Sequence, residues 1–552
     1  MGVPSTQASN AIIYLTYGAF LVTGLYIAWR LRTQSKGDFL SSNRTQKAIP
    51  LALNFIASAL GSGILFSYPE IATICGVQGV VIYALSSSLP LLVFGFLGPI
   101  IRKNCPEGFV LTEWTRRRYG VAAALLLSVC TLITLFLYMV AELSALQQIV
   151  TALTGLDGLP AVIVECVVTT IYTSLGGFRV SFVTDNIQGA MVLGLIIIAV
   201  ITIGVETHVD RSLIGSSGFL DASLLGWQLV YILPVAIFTN DFFISGFWLR
   251  TFASRDDKAL RLGTSIATIV VCIILTFVGV TGLLSAWSGA WPGPAPPGYN
   301  TANPDDPANL ENFPDYPPPG SLSFFLLIAE LPAWVVGIVL CMVVALSTAA
   351  FDSFQSAMVS TASNDLVRNK LGLWWVRAAV VLIIIPVIVV ALRSPDILTI
   401  YLISDLVSAA LVPVLCVGLW EKMYFWRGFE VVVGGLGGIL SVFIFGCIYY
   451  GNATDGGNLL LLEGGLYANN WAAFGAFVAA PVGGMLFGIG GLVLRLGFLW
   501  GRAKWAGTRF EALDRPAPMN PGAFVGGFGD EGSEDGAEDV VVSGTGKSGK
   551  FF

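Results

Sequence analysis

The chain has 552 residues, of which 55% are hydrophobic and only 12% charged, and its mean hydropathy of +0.78 lies well outside the range of soluble globular proteins. Its net charge of −6 gathers in two polar segments, Asp305 to Asp315 and Asp530 to Asp539, and gives no reason to expect a nucleic acid partner. The only histidine, His208, lies in a polar loop, which excludes Ser-His triads, histidine metal sites and intramembrane histidine relays.

Apolar stretches of about twenty residues, the length that crosses ~30 Å of hydrocarbon, recur up to residue 500, so the lipid bilayer is the solvent of this chain. Apolar length and breaker residues place spans at 11–29, 48–69, 79–101, 121–151, 159–177, 185–205, 227–249, 263–287, 323–350, 373–392, 396–418, 430–450 and 471–498, about thirteen in all. With the N-terminus outside, twenty Lys and Arg fall on inner loops, Arg102 and Arg250 among them, against Arg211 and Arg393 on outer ones. An odd number of spans then puts the C-terminus in the cytoplasm.

Four parts follow in chain order. Residues 1–47 hold an extracellular N-terminus, a peripheral first transmembrane helix and a basic inner loop, and 48–425 form the core, with an outer Pro-rich loop at 290–320. Residues 426–500 add two further helices, and 501–552 form an acidic cytoplasmic tail expected to be disordered. Asn452-Ala453-Thr454 is a glycosylation sequon on the outer side. Eight cysteines without a CxxC pair read as small packing residues.

A carboxylate at membrane depth costs several kcal/mol unless it is paired, solvated or protonated, so Glu70, Glu142, Glu165, Asp185, Asp241, Glu330, Asp352 and Asp405 each need a reason. The second span breaks the helical pattern twice, at Ala59-Leu60-Gly61-Ser62-Gly63 and at Ser67-Tyr68-Pro69-Glu70. Such breaks release backbone carbonyls, which are tolerated in a membrane where they line a cavity or coordinate an ion. The ninth span carries Ser347-Thr348-Ala349-Ala350-Phe351-Asp352-Ser353, a stripe of oxygens suited to a hard cation or a protonatable site.

Residues 169–188, TTIYTSLGGFRVSFVTDNIQ, resemble the signature of the sodium:solute symporter family through Tyr172-Thr173, Gly176-Gly177, Thr184-Asp185 and Gln188. Phe247-Trp248-Leu249-Arg250, Pro413 and Gly418-Leu419-Trp420 extend the likeness over about 45–425. Ala57-Ser58 and Gly76-Val77-Gln78-Gly79 are similar to the urea active transporter branch of fungi and plants. The resemblance implies an all-α LeuT-like inverted-repeat fold, with five-helix repeats running from the second to the sixth span and from the seventh to the eleventh. The helix matching the broken second span is then the seventh, with breaks at Thr239-Asn240-Asp241 and Ser245-Gly246.

The family's main sodium site uses carbonyls and hydroxyls that fall here on Ala57 and Leu60 and on Ala349 and Ala350. Alanine has no hydroxyl, so Ser347-Thr348 replace the pair by a shift, Asp352 and Ser353 rebuild it, or the coupling ion is H⁺ rather than Na⁺. Asp185 matches the family's acid near a second cation position. The expected substrate cavity comprises Gly61, Ser62, Gly63, Glu70, Asn240 and Asp241.

These features imply an ion-coupled symporter of the plasma membrane that imports a small polar solute by alternating access, with no organic cofactor and no enzymatic activity. Urea leads through the resemblance, and a neutral solute fits the expected absence of an intramembrane Arg or Lys to neutralise an anion. A polyamine or other small nitrogen compound, and a non-transporting nutrient sensor on the same fold, are the alternatives.

Overall fold

The computed structural model describes residues 4–42, 44–106, 108, 110–293, 295, 316–368, 370, 372–393, 397–462 and 470–514. Most of the Pro-rich loop and residues 515–552 of the expected tail lie outside these. The elements in chain order are α1 (Thr6–Arg30), α2 (Lys36–Leu40), α3 (Ala48–Ala59), α4 (Ile64–Asn104), α5 (Leu111–Tyr119), α6 (Val121–Thr154), α7 (Leu159–Glu206), α8 (Arg211–Ser216), α9 (Leu224–Asp241) and α10 (Ser245–Ala253). There follow α11 (Asp257–Ser288), α12 (Ser323–Ala329), α13 (Ala333–Asp365), α14 (Leu373–Ala391), α15 (Ile397–Cys416), α16 (Gly428–Tyr450), α17 (Ala453–Leu461) and α18 (Asn470–Ala506). Among the described residues the only β-pairing is an isolated bridge between Gln46 and Ser254.

Eleven of these helices are long and apolar enough to cross a membrane, against about thirteen expected spans. Two of the eleven are hairpins. In α4 the Tyr68 and Tyr83 rings stack with centroids 4.1 Å apart and the Tyr68 hydroxyl reaches Ser87 Oγ at 2.6 Å, whereas fifteen residues of straight helix would span about 22 Å. The reversal lies at Gly76, whose φ of 59° and ψ of −148° belong to a region open essentially to glycine. A Cβ there would also strike the Phe219 carbonyl, which accepts the Val77 N–H at 2.9 Å. In α7 the same backbone recurs at Gly177, with φ 62° and ψ −156°, close against Phe39.

Two helices are interrupted instead. The first gap lies between α3 and α4, where Leu60 is extended and Gly61 to Gly63 leave the helix. The second lies between α9 and α10, at Phe242 to Ile244, while the expected breaks at Thr239-Asn240-Asp241 and Ser245-Gly246 are the helical ends on either side of it. The second expected break in 48–69, at Ser67 to Glu70, does not occur: α4 runs through Pro69, which costs a helix its own N–H bond without ending it. Short backbone bonds tie the gapped helices together, with Gln46 N–H donating to the Ala253 carbonyl and Arg255 N–H to that of Gln46.

Helix α13 is the most deeply enclosed of the eleven and runs fifteen residues beyond the expected end at 350. Helix α1 lies at the periphery, yet its stripe of Ser9, Ile13, Tyr17, Phe20, Gly24 and Ala28 is buried, mainly against α7 and α13. On the outer faces Leu15, Val205, Trp374 and Ile448 stand exposed, as lipid-facing side chains do. Helix α18 extends to Ala506, so the expected tail begins five or more residues later than 501.

Candidate functional site

Three clusters of buried polar side chains stand around the two gaps. The first is centred on Arg250, at the sixth position of α10, which is fully buried rather than looped. Its Nη2 donates to Asp185 Oδ2 at 2.7 Å and to Ser353 Oγ at 2.8 Å, its Nη1 to the Gly246 carbonyl at 2.9 Å, and its Nε to the Asn54 carbonyl at 3.3 Å. One guanidinium thus joins α3, α7, α10 and α13. Asp352, one residue before Ser353, accepts from Tyr172 at 2.5 Å, Ser181 at 3.0 Å and Thr184 at 3.3 Å. Tyr172 and Thr184 reach the same oxygen only because α7 folds back at Gly177 between them.

This geometry explains the 169–188 motif residue by residue. Gly177 makes the hairpin, Tyr172 and Thr184 hold Asp352, Asp185 holds Arg250, and Gln188 is buried beside them with neither amide atom bonded within the protein. It also corrects two readings. Arg250 and Arg102 are buried, not inner-loop, cations, and the core does contain an arginine, so the argument for a neutral solute from the absence of one fails.

The sodium positions implied by the resemblance do not close into a hydroxyl site. Ala57 packs against α7 at Gly189, Leu60 caps α3 with its side chain buried, and Ala349 and Ala350 are buried without a side-chain oxygen to offer. Thr348 bonds back to the Val344 carbonyl at 2.6 Å, Ser347 faces Glu165, and Ser353 is engaged by Arg250 and Asp185. Asp185 Oδ1, by contrast, is buried and unbonded, which fits a position able to take a small cation or water.

The second cluster stands at the first gap. Ser62 N–H donates to Glu142 Oε1 at 2.6 Å, and a side chain at Gly61 would collide with Glu142 Oε2. Ser347 Oγ donates to Glu165 at 2.8 Å, and the Tyr17 hydroxyl of α1 to the other Glu165 oxygen at 3.1 Å.

The third cluster stands at the second gap. Asn240 donates to the Tyr138 hydroxyl and accepts from Ser404 Oγ at 2.9 Å, while Thr134 and Ser404 share a bond of 2.7 Å and Thr239 and Ser408 one of 2.9 Å. Asp241 and Asp405 are buried electrostatic neighbours, and neither has an ion-pair partner among the described residues. Tyr138 packs on Tyr401 at 4.7 Å and on Phe354 at 5.5 Å between centroids, and Tyr138 and Tyr401 both lie in the field of Asp405. Tyr401 also approaches Gly63, where a Cβ would lie 3.0 Å from its hydroxyl, so it links the two gaps.

Of the expected cavity residues, Gly61, Ser62 and Gly63 meet Glu142 and Tyr401 at the first gap, and Asn240 and Asp241 stand at the second. Glu70 is set apart, half-buried along α4 near Gly320. Glu330 is exposed between α12 and α13. Asn452 is exposed and caps α17, accepting the Asp455 N–H at 2.7 Å. Tyr138, Tyr401 and Ser404 were not foreseen; the four-residue step from Tyr401 to Asp405, which puts both on one helical face, was the available signal.

The model of the sodium:solute symporter family matches residues 39–214. The spermidine transporter of Candida albicans is 51% identical over 519 residues, covering 93% of this chain and 95% of that one. A sodium/pantothenate symporter of Haemophilus influenzae is 28% identical over 296 residues, 50% of this chain and 59% of its own, and a urea-proton symporter of Oryza sativa subsp. japonica is 25% identical over 203 residues, 35% and 28%. Among solved structures, a Na⁺-coupled sialic acid symporter in a substrate-bound outward-open state superposes with a TM-score of 0.66 at 17% identity, over 88% of this chain and 97% of that one. A nucleobase-cation-symport-1 family transporter gives 0.53 at 11% identity, over 84% and 96%. These relatives are transporters rather than enzymes, and the likeness gives the fold as the LeuT-like arrangement anticipated from the sequence. With the broken helices and the folded signature in place, the chain belongs to the sodium:solute symporter family of ion-coupled membrane transporters.

Proposed function

We propose that this symporter imports a linear polyamine of the spermidine class across the plasma membrane, with the N-terminus outside and the C-terminus in the cytoplasm. The observation that carries the reading is the third cluster: two carboxylates, Asp241 and Asp405, buried together without a basic partner and faced by Tyr138 and Tyr401. Two unneutralised charges in a low dielectric are costly, and an ammonium group set between them and against tyrosine faces removes that cost. Urea is neutral and would leave both charges uncompensated. The 51% identity to a spermidine transporter supports the same choice, while the urea relatives match about a third of each chain.

The gapped helices, broken at 60–63 and 242–244, serve alternating access in this reading, and the Asp185–Arg250–Ser353–Asp352 cluster belongs to the coupling machinery rather than to the solute. The test is uptake of labelled spermidine and of labelled urea by a host lacking its own carriers for both. Accumulation of spermidine against its gradient, competed by other polyamines and reduced by Asp241→Asn and Asp405→Asn, is the expected result. Accumulation of urea without spermidine overturns the assignment of the solute, and accumulation of neither points to the sensor.

A further inference from the structure

The second cluster contains two buried carboxylates that the proposed solute site does not use. Glu142, in the middle of α6, is turned toward the first gap, where the Ser62 N–H binds one of its oxygens and the absence of a side chain at Gly61 leaves room for the other. Glu165, near the start of α7, is its electrostatic neighbour, and Ser347 of α13 hydrogen bonds to Glu165 and interacts with Glu142. The titratable groups facing the pair are Tyr17 from α1, Tyr401 from α15, and Cys166 and Tyr172 on α7; none is cationic, and neither carboxylate has an ion pair among the described residues. The Ser62 side chain is fully buried against Glu142, with its Oγ turned to the carboxylate but outside good hydrogen-bond geometry.

We propose that Glu142, Glu165, Ser347 and the Ser62 hydroxyl form a cation site at the first helix gap, which takes a monovalent cation, sodium or a proton, during coupled transport. The physical case has three steps. Two negative groups in the membrane interior repel and are poorly solvated, so a positive charge between them is strongly favoured. All the side-chain donors are hard oxygens, the set that suits a small desolvated cation or a shared proton. The Ser62 N–H and Oγ belong to the unwound segment itself, so any rearrangement of the gap changes the coordination of Glu142, and occupancy of the site is thereby tied to the conformation of the helix.

The inference rests on the assignment as an ion-coupled symporter and not on the solute, so the assay uses whichever of spermidine or urea the host accumulates. In the wild type, uptake is measured against external sodium chloride, replaced by choline chloride at fixed pH, and against external pH without sodium. Dependence on the first identifies the occupant as sodium, on the second as a proton. Glu142→Gln, Glu165→Gln and Ser62→Ala are then compared for the concentration of that ion giving half-maximal uptake. The carboxamide variants should raise it by roughly 10–100-fold, the scale on which partners of a bound ion act, and Ser62→Ala by less. Ser62→Ala removes one oxygen and no charge, so it decides the matter if the carboxamides fail to reach the membrane. An unchanged half-point in every variant that reaches the surface overturns the proposal, whatever the solute.

Discussion

The two gaps in the helices are filled differently, although both make internal backbone bonds, Leu65 N–H donating to the Ser62 carbonyl at 3.1 Å in the first. At the first, Gly61 and Gly63 leave the backbone uncovered, and a charged side chain from another helix, Glu142, satisfies a freed N–H. At the second, Phe242 and Phe243 fill the space, and the segment satisfies itself: Phe243 N–H donates to the Asn240 carbonyl at 2.8 Å, Ile244 N–H to that of Asp241 at 3.2 Å, and Trp248 Nε1 to that of Phe242 at 3.0 Å. Arg250 then anchors α10 to three other helices. With the proposed ion and solute sites, the contrast separates labour between the repeats: the glycine gap would respond to the ion, and the aromatic gap would be a stiff mount that presents Asp241.

The largest effect should come from filling the glycine gap. Gly61→Leu puts a side chain where Glu142 stands, so uptake should fall to background while the protein still reaches the cell surface. At Gly63 the nearest atom is the Tyr401 hydroxyl, 3.0 Å from a built Cβ, and Gly63→Leu should abolish uptake with a similar surface signal. Surface labelling alongside uptake checks both, and full activity with leucine at both positions would erase the distinction between the gaps.

Arg250→Gln tests the mount of the aromatic gap. Removing one partner of a buried ion pair costs about 3–5 kcal/mol because the other charge is left uncompensated, so the variant should be poorly expressed and unfold at lower temperature in detergent. Arg250→Gln combined with Asp185→Asn removes both charges and should recover most of that stability. A double variant no better than the single one would show that Arg250 acts through its bonds to the Gly246 and Asn54 carbonyls instead.

Asp352→Asn is milder for the fold, since the amide oxygen still accepts from Tyr172 or Thr184 and only the charge is lost. Concentrative uptake should disappear, while exchange of solute down its gradient survives. Solute counterflow in vesicles distinguishes the two, and accumulation equal to wild type would make Asp352 a structural acid.

Much of this arrangement was legible in the sequence because glycine and charge mark it. The Ala59 to Gly63 gap announced itself by its glycines, and the 169–188 motif located the hairpin and the acids it gathers. Pro69 misled, since a proline inside a helix removes a single bond and the helix continues through it. Arg250 misled for a different reason: a cation at the end of an apolar stretch looks like a loop residue until the fold brings Asp185, 65 residues earlier, to meet it. The nearness of Glu142 to Glu165 depends on how two consecutive helices pack, and the approach of Tyr401 to Gly63 on helices far apart in the chain; no local pattern encodes either.

The smallest effect concerns the self-sufficiency of the second gap. Trp248 is fully buried, packs edge-on against Phe94 at 5.0 Å and Phe242 at 5.4 Å between centroids, and donates the bond that satisfies the Phe242 carbonyl. Trp248→Phe keeps an aromatic ring there but leaves that carbonyl without its donor, a cost of roughly 1–3 kcal/mol for a buried group. Thermal unfolding in detergent should shift by less than for Arg250→Gln, with the half-saturating solute concentration and the ion dependence of uptake unchanged, because nothing that contacts Asp241 or Glu142 has been removed. If Trp248→Phe instead alters the ion dependence, the aromatic gap moves with the glycine gap, and the two repeats respond to the ion as one unit.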